Sequence, residues 1–118
     1  MHATRFFEVA IPEMARRRAA LFGTLSGSLT FIVRDVGQWT VYLGSSEPVQ
    51  AHADPEADLV LSFTAPAFEG FVRGDLDLPN AMASHTVAHD GDLGVLTRFS
   101  RLLSQAQSPL TVQFGGVR

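Results

Sequence analysis

The sequence predicts an α+β domain built on a mainly antiparallel sheet. Segments 28–33 and 39–44 are rich in β-branched and aromatic residues, and the turn at 35–38, which contains a glycine, joins them as a hairpin. Segments before and after the strands repeat apolar residues at helical spacing instead. At 118 residues the chain fits one domain, 1–118, with a single core.

The predicted N-terminal element is a helix over 3–22. Pro12 lies inside it and either opens a second helical piece or kinks one long helix, because proline is tolerated best in a first turn. Alternation in the hairpin strands and in a further strand over 59–64 makes one face of the sheet apolar. That face carries Leu29, Phe31, Val33, Trp39, Val41, Leu43, Leu59, Leu61 and Phe63. A weaker strand is expected over 48–53.

After these strands the apolar period changes to that of a helix. Thr64 can cap a helix that ends at Gly74, and Phe68 and Phe71 fall on one of its faces. The later half of the chain is therefore predicted to place helices against the sheet.

Two further helices are predicted after Gly74. A short one covers 78–84, and a longer one covers 92–106 with Asp92 as its N-cap. The longer helix carries an apolar stripe made of Leu93, Leu96, Phe99 and Leu103. The pattern leaves the tail at 107–118 open between a strand and a mobile flap.

Composition excludes several classes of function. The chain has no cysteine, which removes disulfides, thiol nucleophiles and thiolate metal sites, and no lysine, which removes Schiff-base chemistry on lysine. A net charge of −3 with one basic run, at 16–18, argues against a nucleic-acid-binding groove, and that run is interpreted as a solvated helix face.

Apolar runs are far shorter than the roughly 20 residues of a membrane helix. The N-terminus has no recognisable secretion signal, so we expect a cytoplasmic protein.

Two of the four histidines, His85 and His89, belong to one short polar stretch. Its β-favouring residues predict a strand over 85–90, in which the two backbones would lie about 13 Å apart and could not share one metal ion. Ser84 and Asp90 do not complete a triad with His85, because neighbouring strand side chains point to opposite faces. We therefore expect no metal, no cofactor and no catalytic residue in this stretch.

The order of these segments resembles the sterol carrier protein type 2 family. The resemblance depends on the strand "ADLVLSFT", the helix end "RGDLD" and the "GDLG" that opens an apolar helix. It covers about 28–103 and, more loosely, the N-terminal helix. It implies a curved, five-stranded, mostly antiparallel sheet with helices on one face. It also implies an apolar tunnel between sheet and helices that holds a hydrophobic small molecule, either a lipid, a fatty acyl or a sterol-like ligand, and hence a carrier rather than an enzyme.

This resemblance implies a set of ligand-binding residues. The tunnel would be lined by Phe31, Phe63, Phe68, Phe71, Met82, Leu96, Phe99 and Leu103. His89 departs from the family, because alignment places it inward beside Val87 where lysine and apolar residues usually alternate. It is either a hydrogen-bonded core histidine or a polar anchor for a ligand hydroxyl or carboxylate. Aromatic stripes at these spacings more often form a solid core than a pocket, and the sequence alone does not distinguish a filled interior from a tunnel.

Two other functions stay open at this point. The chain could be an accessory or dimerisation module, as a homodimer or with a partner enzyme, that uses N-terminal residues as a contact surface. Those residues are Phe6, Phe7, Val9 and Ile11. Alternatively, it could be an enzyme acting on a hydrophobic intermediate, with His89 or His85 as general base and Asp90 orienting it.

Overall fold

The computed structural model describes residues 3–103, which begin with a segmented helical region. Its parts are α1 (Ala3–Arg5), a π-helical turn (Phe6–Ala10), α2 (Ile11–Arg17) and α3 (Ala19–Thr24). Pro12 lies in the first turn of α2, which was one of the two predicted alternatives. The break in the helix falls instead at Arg18, whose φ of −114° and ψ of 43° leave the helical region. The helix predicted over 3–22 thus extends to Thr24 and is interrupted.

Five strands form one sheet. They are β1 (Gly27–Val33), β2 (Gly37–Leu43), β3 (Val49–Gln50), β4 (Leu59–Phe63) and β5 (Ala88–Gly91), in the spatial order β3-β2-β1-β4-β5. β1 and β4 are parallel, and the other three neighbouring pairs are antiparallel. The predicted α+β fold with a five-stranded, mostly antiparallel sheet is confirmed.

Two strands are shorter than predicted. The strand expected over 48–53 pairs only at Val49–Gln50, because the chain after it turns to hydrogen-bond with the outer face of the sheet. The strand expected over 85–90 begins only at Ala88, because His85 has a left-handed backbone with φ of 64°. Both corrections fall at the edges of the sheet, where fewer ladder bonds hold a strand.

α4 (Ala65–Arg73) follows β4 directly. Thr64 caps it, since its Oγ1 accepts a hydrogen bond from Ala67 N at 3.2 Å, and Gly74 ends it with a left-handed φ of 81°. Both predicted boundaries of this helix are confirmed.

α5 (Leu78–Ala83) and α6 complete the described chain. α6 begins at 93, directly after the predicted cap, and its described part runs to 103. The remainder of the helix predicted over 92–106 and the tail at 107–118 lie outside the described residues. No helix in the described range is both long enough and apolar enough to cross a membrane.

The helices cover one face of the sheet. The residues that alternation assigns to this inner face are at most 6% exposed. Phe31 lies beside Trp39 on β2 and beside Leu61 on β4, so the alternation of three strands is in phase. Phe7, Phe68 and other helical side chains close the core over this face. The inner face therefore forms one side of the apolar core.

Candidate functional site

Aromatic rings fill the space between the inner sheet face and the helices. Phe7, from the π-helical turn, stacks on Trp39 with ring centroids 4.8 Å apart and lies 5.0 Å from Phe31. Phe68 of α4 lies 5.4 Å from both Phe7 and Phe63. These distances are those of rings in direct contact. We call this set the aromatic layer, which consists of Phe6, Phe7, Phe31, Trp39, Phe63, Phe68, Phe71 and Phe99.

The N-terminal segment contributes to the core of its own domain. The backbone N–H of Ile11 donates to Phe6 O, and this wide turn accompanies the burial of two adjacent residues, Phe6 and Phe7. These three side chains are at most 4% exposed, whereas Val9 is 43% exposed. Of the N-terminal residues suggested to cover a partner surface, only Val9 is available to do so.

The structure separates the predicted ligand-lining residues by burial. Phe31, Phe63, Phe68 and Phe99 are enclosed, Leu96 is 7% exposed, Phe71, Met82 and Leu103 are half-buried, and His89 is exposed. The enclosed residues contact one another within the aromatic layer, so they form a filled interior rather than the wall of an open passage.

An open apolar hollow lies between α5 and α6. This hollow, which we call the α5–α6 groove, has a volume of about 330 Å³. It is lined by Leu78, Pro79, Met82, Leu93, Leu96, Thr97 and Ser100. Apolar side chains form most of its wall, and the hydroxyls of Thr97 and Ser100 are its polar side-chain groups. Its volume lies at the lower end of the range of about 300–1,000 Å³ typical of small-molecule pockets.

Capping residues position the two walls of the α5–α6 groove. Asp77 accepts a hydrogen bond from Asn80 N at 3.2 Å and so begins α5, on which Leu78 and Met82 lie one turn apart. Before α6, Asp92 accepts a hydrogen bond from Gly94 N at 2.8 Å. The sequence prediction contains Met82 and Leu96 from this groove and omits Leu78, Pro79, Leu93, Thr97 and Ser100. The sequence signal that could have identified more of these residues is helical spacing, because residues three or four positions from Met82 or Leu96 lie on the same helix face.

A larger hollow of about 560 Å³ lies where α2 and α3 meet the β2–β3 connection. This α2–α3 cavity is lined by Pro12, Ala15, Arg16, Ala19, Phe22, Gly23, Gly44, Ser45, Ser46 and Pro48. Gly44 makes the sharp turn in that connection, with φ of 82° and Leu25 O only 2.5 Å from where a Cβ would lie. Sequence reasoning missed this cavity because small residues from two distant segments create it without any periodic pattern.

His89 does not have the surroundings that the sequence predicts. It pairs with Leu61 across β4 and β5 and therefore shares the inner sheet face with that residue, as expected. Leu61 is fully buried, but His89 lies on the edge strand and is exposed. The expectation of a hydrogen-bonded core histidine is wrong, because at this position the core covers β4 but does not extend to the edge strand β5.

The structure does not support the arrangement proposed for the enzymatic alternative, in which Asp90 orients a histidine that acts as general base. Asp90 follows His89 directly in β5, so their side chains project to opposite faces and Asp90 cannot orient the imidazole. His85 lies in the turn before the strand and is exposed. Within residues 3–103, no three His, Asp or Glu side chains are grouped closely enough to hold a metal ion.

The outer face of the sheet carries a polar network that involves Thr30, Thr40, Tyr42 and Asp54. The hydroxyls of Thr30 and Thr40 are 2.7 Å apart, and Asp54 N donates to both. Tyr42 donates to Asp54 Oδ2 at 2.7 Å, and this hydrogen bond lowers the pKa of Asp54 and raises the pKa of Tyr42. In the described part of the chain, every buried side-chain nitrogen and oxygen has a partner. We assign the network a structural role, which is to fix the β3–β4 connection on the sheet.

The SCP-2 sterol transfer family matches residues 10–104 of this sequence. The fold, with its helix-covered, mostly antiparallel sheet, agrees with that match. The chain therefore belongs to the SCP-2 sterol transfer family, and the resemblance found in the sequence is confirmed. No curated protein matches the chain as a relative.

Solved structures share this fold at low sequence identity. Sterol carrier protein domain 2 of Helicoverpa armigera has a TM-score of 0.69 at 17% identity, over 86% of this chain and 85% of that one. Palmitated SCP2L2 of Aedes aegypti has a TM-score of 0.61 at 15% identity, over 86% and 94%. The sec-alkylsulfatase Pisa1 of a Pseudomonas species has a TM-score of 0.58 at 24% identity, over 70% of this chain but only 14% of the sulfatase. The fold thus occurs both as a small protein and as a part of a much longer enzyme chain.

Proposed function

We propose that the protein binds and carries a hydrophobic small molecule, of the lipid or fatty acyl class, without acting as an enzyme. Membership of the SCP-2 sterol transfer family supports this class of function. The observation that carries the proposal is the α5–α6 groove, an apolar hollow that stays open beside a filled core. Removing apolar ligand surface from water would drive binding, at about 25 cal/mol per Å².

The lining of the α5–α6 groove suits an acyl ligand. Met82 is half-buried on one wall, and its flexible thioether can adapt to chains of different shape. Thr97 and Ser100 can hydrogen-bond a carboxyl or hydroxyl group at the ligand's polar end. A relative in the family has a structure in palmitated form, which makes palmitate a reasonable first probe.

The predicted residues have different roles in this proposal. Met82 and Leu96 contact the ligand, whereas the predicted aromatic residues and Leu103 support the helices that form the groove. His89 lines neither hollow, so His89→Gln is expected to leave the affinity for a fluorescent fatty acid unchanged. A clear loss of affinity in that variant would instead support His89 as a polar anchor for the ligand.

A blocking substitution tests the α5–α6 groove directly. Leu93 lines the groove and is 40% exposed, so Leu93→Trp can fill the hollow without overpacking the core. The matched control is Val36→Trp, at a side chain that is 38% exposed in the turn between β1 and β2. We expect Leu93→Trp to weaken uptake of a fluorescent fatty acid severalfold or more and Val36→Trp to leave it unchanged. Equal uptake by both variants would contradict the proposal.

The α2–α3 cavity is the rival location for the ligand. Gly23→Leu would fill it, because nothing lies within 4 Å of a Cβ at that position and leucine favours the helix more than glycine does. If Gly23→Leu abolishes uptake while Leu93→Trp does not, the carrier function stands and the proposed groove is wrong.

An accessory role beside an enzyme is the second candidate function. The observation that favours it is the match to a part of the Pisa1 sulfatase chain. Native mass spectrometry of the protein as purified separates the two functions. A bound small molecule supports the carrier, and a ligand-free chain found in a complex with another protein supports the accessory module.

A further inference from the structure

The outward side of the N-terminal helical segment carries a groove that the proposed carrier function does not use. This N-terminal groove has a volume of about 280 Å³ and is lined by Arg5, Val9, Ala10, Glu13, Met14 and Arg17. Val9 is the most exposed large apolar side chain among the described residues. The opposite side of the same segment is buried in the core, so its outward side is the one available to a partner.

The charges on this face are arranged about Val9. Arg5 precedes Val9 by four residues and Glu13 follows it by four, and both line the same groove, so they lie on either side of Val9 along the segment. Glu13 binds Arg17 at 2.8 Å, and both of those side chains remain accessible, at 39% and 74% exposed. Arg5 forms no ion pair with any residue that the structure describes. A basic group and an acidic group thus flank an apolar centre at equal sequence separation.

We propose that this face is a self-association surface on which two copies of the chain pack antiparallel, with a two-fold axis at Val9. In that arrangement Arg5 lies opposite the partner subunit's Glu13, and the symmetry repeats the same pair on the other side. Val9 meets the partner's Val9 at the centre. The surface is therefore complementary to itself in charge.

The charge pattern also selects this register over a shifted one. A two-fold axis placed two residues later would set Arg5 opposite the partner's Arg17 and would bring like charges together. Because a single helical face buries little area, we expect a weak, reversible dimer whose stability falls as salt rises.

A cysteine probe tests the centre of this interface. The chain contains no cysteine, so Val9→Cys provides a single thiol at the proposed two-fold axis. Val36→Cys is the matched control, since Val36 is similarly exposed at 38% on another part of the surface. Under mild oxidation, Val9→Cys is expected to form a covalent dimer severalfold faster than Val36→Cys. Equal rates would overturn the proposal.

Charge reversal tests the register. In analytical ultracentrifugation across the micromolar to millimolar range, Arg5→Glu and Glu13→Arg should each weaken the dimer by about tenfold, and the double variant should recover it. A wild-type protein that stays monomeric throughout, or single variants that dimerise as well as wild type, would overturn the proposal. Far-UV circular dichroism confirms folding, and if a charge variant unfolds, the Val9→Cys comparison decides alone.

Discussion

The aromatic layer and the α5–α6 groove are both apolar, and both contain residues that the sequence assigns to one ligand site, yet one is filled and the other is open. The rings of the aromatic layer come from the sheet, the π-helical turn, α4 and α6, so all of them except the half-buried Phe71 are enclosed from several directions. The groove has walls from α5 and α6 alone, and Leu93 on its rim is 40% exposed. Apolar periodicity therefore predicts which side chains avoid water, but it does not predict whether a further element closes over them.

The largest effect is expected from truncating a ring in the aromatic layer. Phe31→Ala should lower the free energy of unfolding by about 3–5 kcal/mol, because the residue is fully buried among other rings and its removal leaves a cavity. Chemical denaturation monitored by circular dichroism measures this loss. A loss below about 1 kcal/mol would indicate that Phe31 borders open space, as the predicted tunnel requires.

The outer face of the sheet offers an intermediate case, in which hydrogen bonds replace ring packing. Thr40→Val should cost about 1–3 kcal/mol, because it leaves Asp54 N and His52 O with one partner fewer near a buried site. Thr24→Val is the matched control, since it removes only an exposed hydrogen bond to Leu21 O. If both substitutions cost the same in denaturant unfolding, the polar network does not stabilise the fold as described.

A smaller effect is expected from truncation in the α5–α6 groove. Met82→Ala should lower the stability of the ligand-free protein by about 1 kcal/mol or less, because this half-buried side chain already borders an open space. The same substitution should weaken binding of a fluorescent fatty acid. A stability loss as large as that of Phe31→Ala would show that the groove is packed in solution.

The smallest effect is a pH dependence from the Tyr42–Asp54 hydrogen bond. Because it lowers the pKa of Asp54, its contribution to stability is present above about pH 4 and is lost as pH falls through the lowered pKa. Because it raises the pKa of Tyr42, its contribution is present below about pH 10 and is lost as pH rises through the raised pKa. In Tyr42→Phe, the fall in melting temperature at low pH and at high pH should be smaller than in the wild-type protein. Identical pH profiles for wild type and variant would argue against the bond.

The inner face of the sheet could be predicted from the sequence because its alternation is local and the strands are in phase. Thr64 and Gly74 could likewise be assigned to the ends of α4, because capping depends on residue chemistry at fixed offsets. The burial of Phe7 could not be predicted, since it depends on a π-helical turn and on partners from distant strands. The exposure of His89 could not be predicted either, because strand pairing gives its face but not where the helical cover ends.

The most direct test of the account is the position of a bound acyl chain, measured by NMR on protein labelled at its methionine and leucine methyl groups. The chain has three methionines, and Met82 lies in the α5–α6 groove while Met14 lies on the outward face of α2. On titration with palmitate, we expect shifts and ligand contacts at the methyl groups of Met82 and Leu96, with Met14 unchanged. Contacts at the methyl groups of Leu29 and Leu61 on the inner face of the sheet, with Met82 unchanged, would place the ligand inside the aromatic layer. That result would contradict binding in the α5–α6 groove.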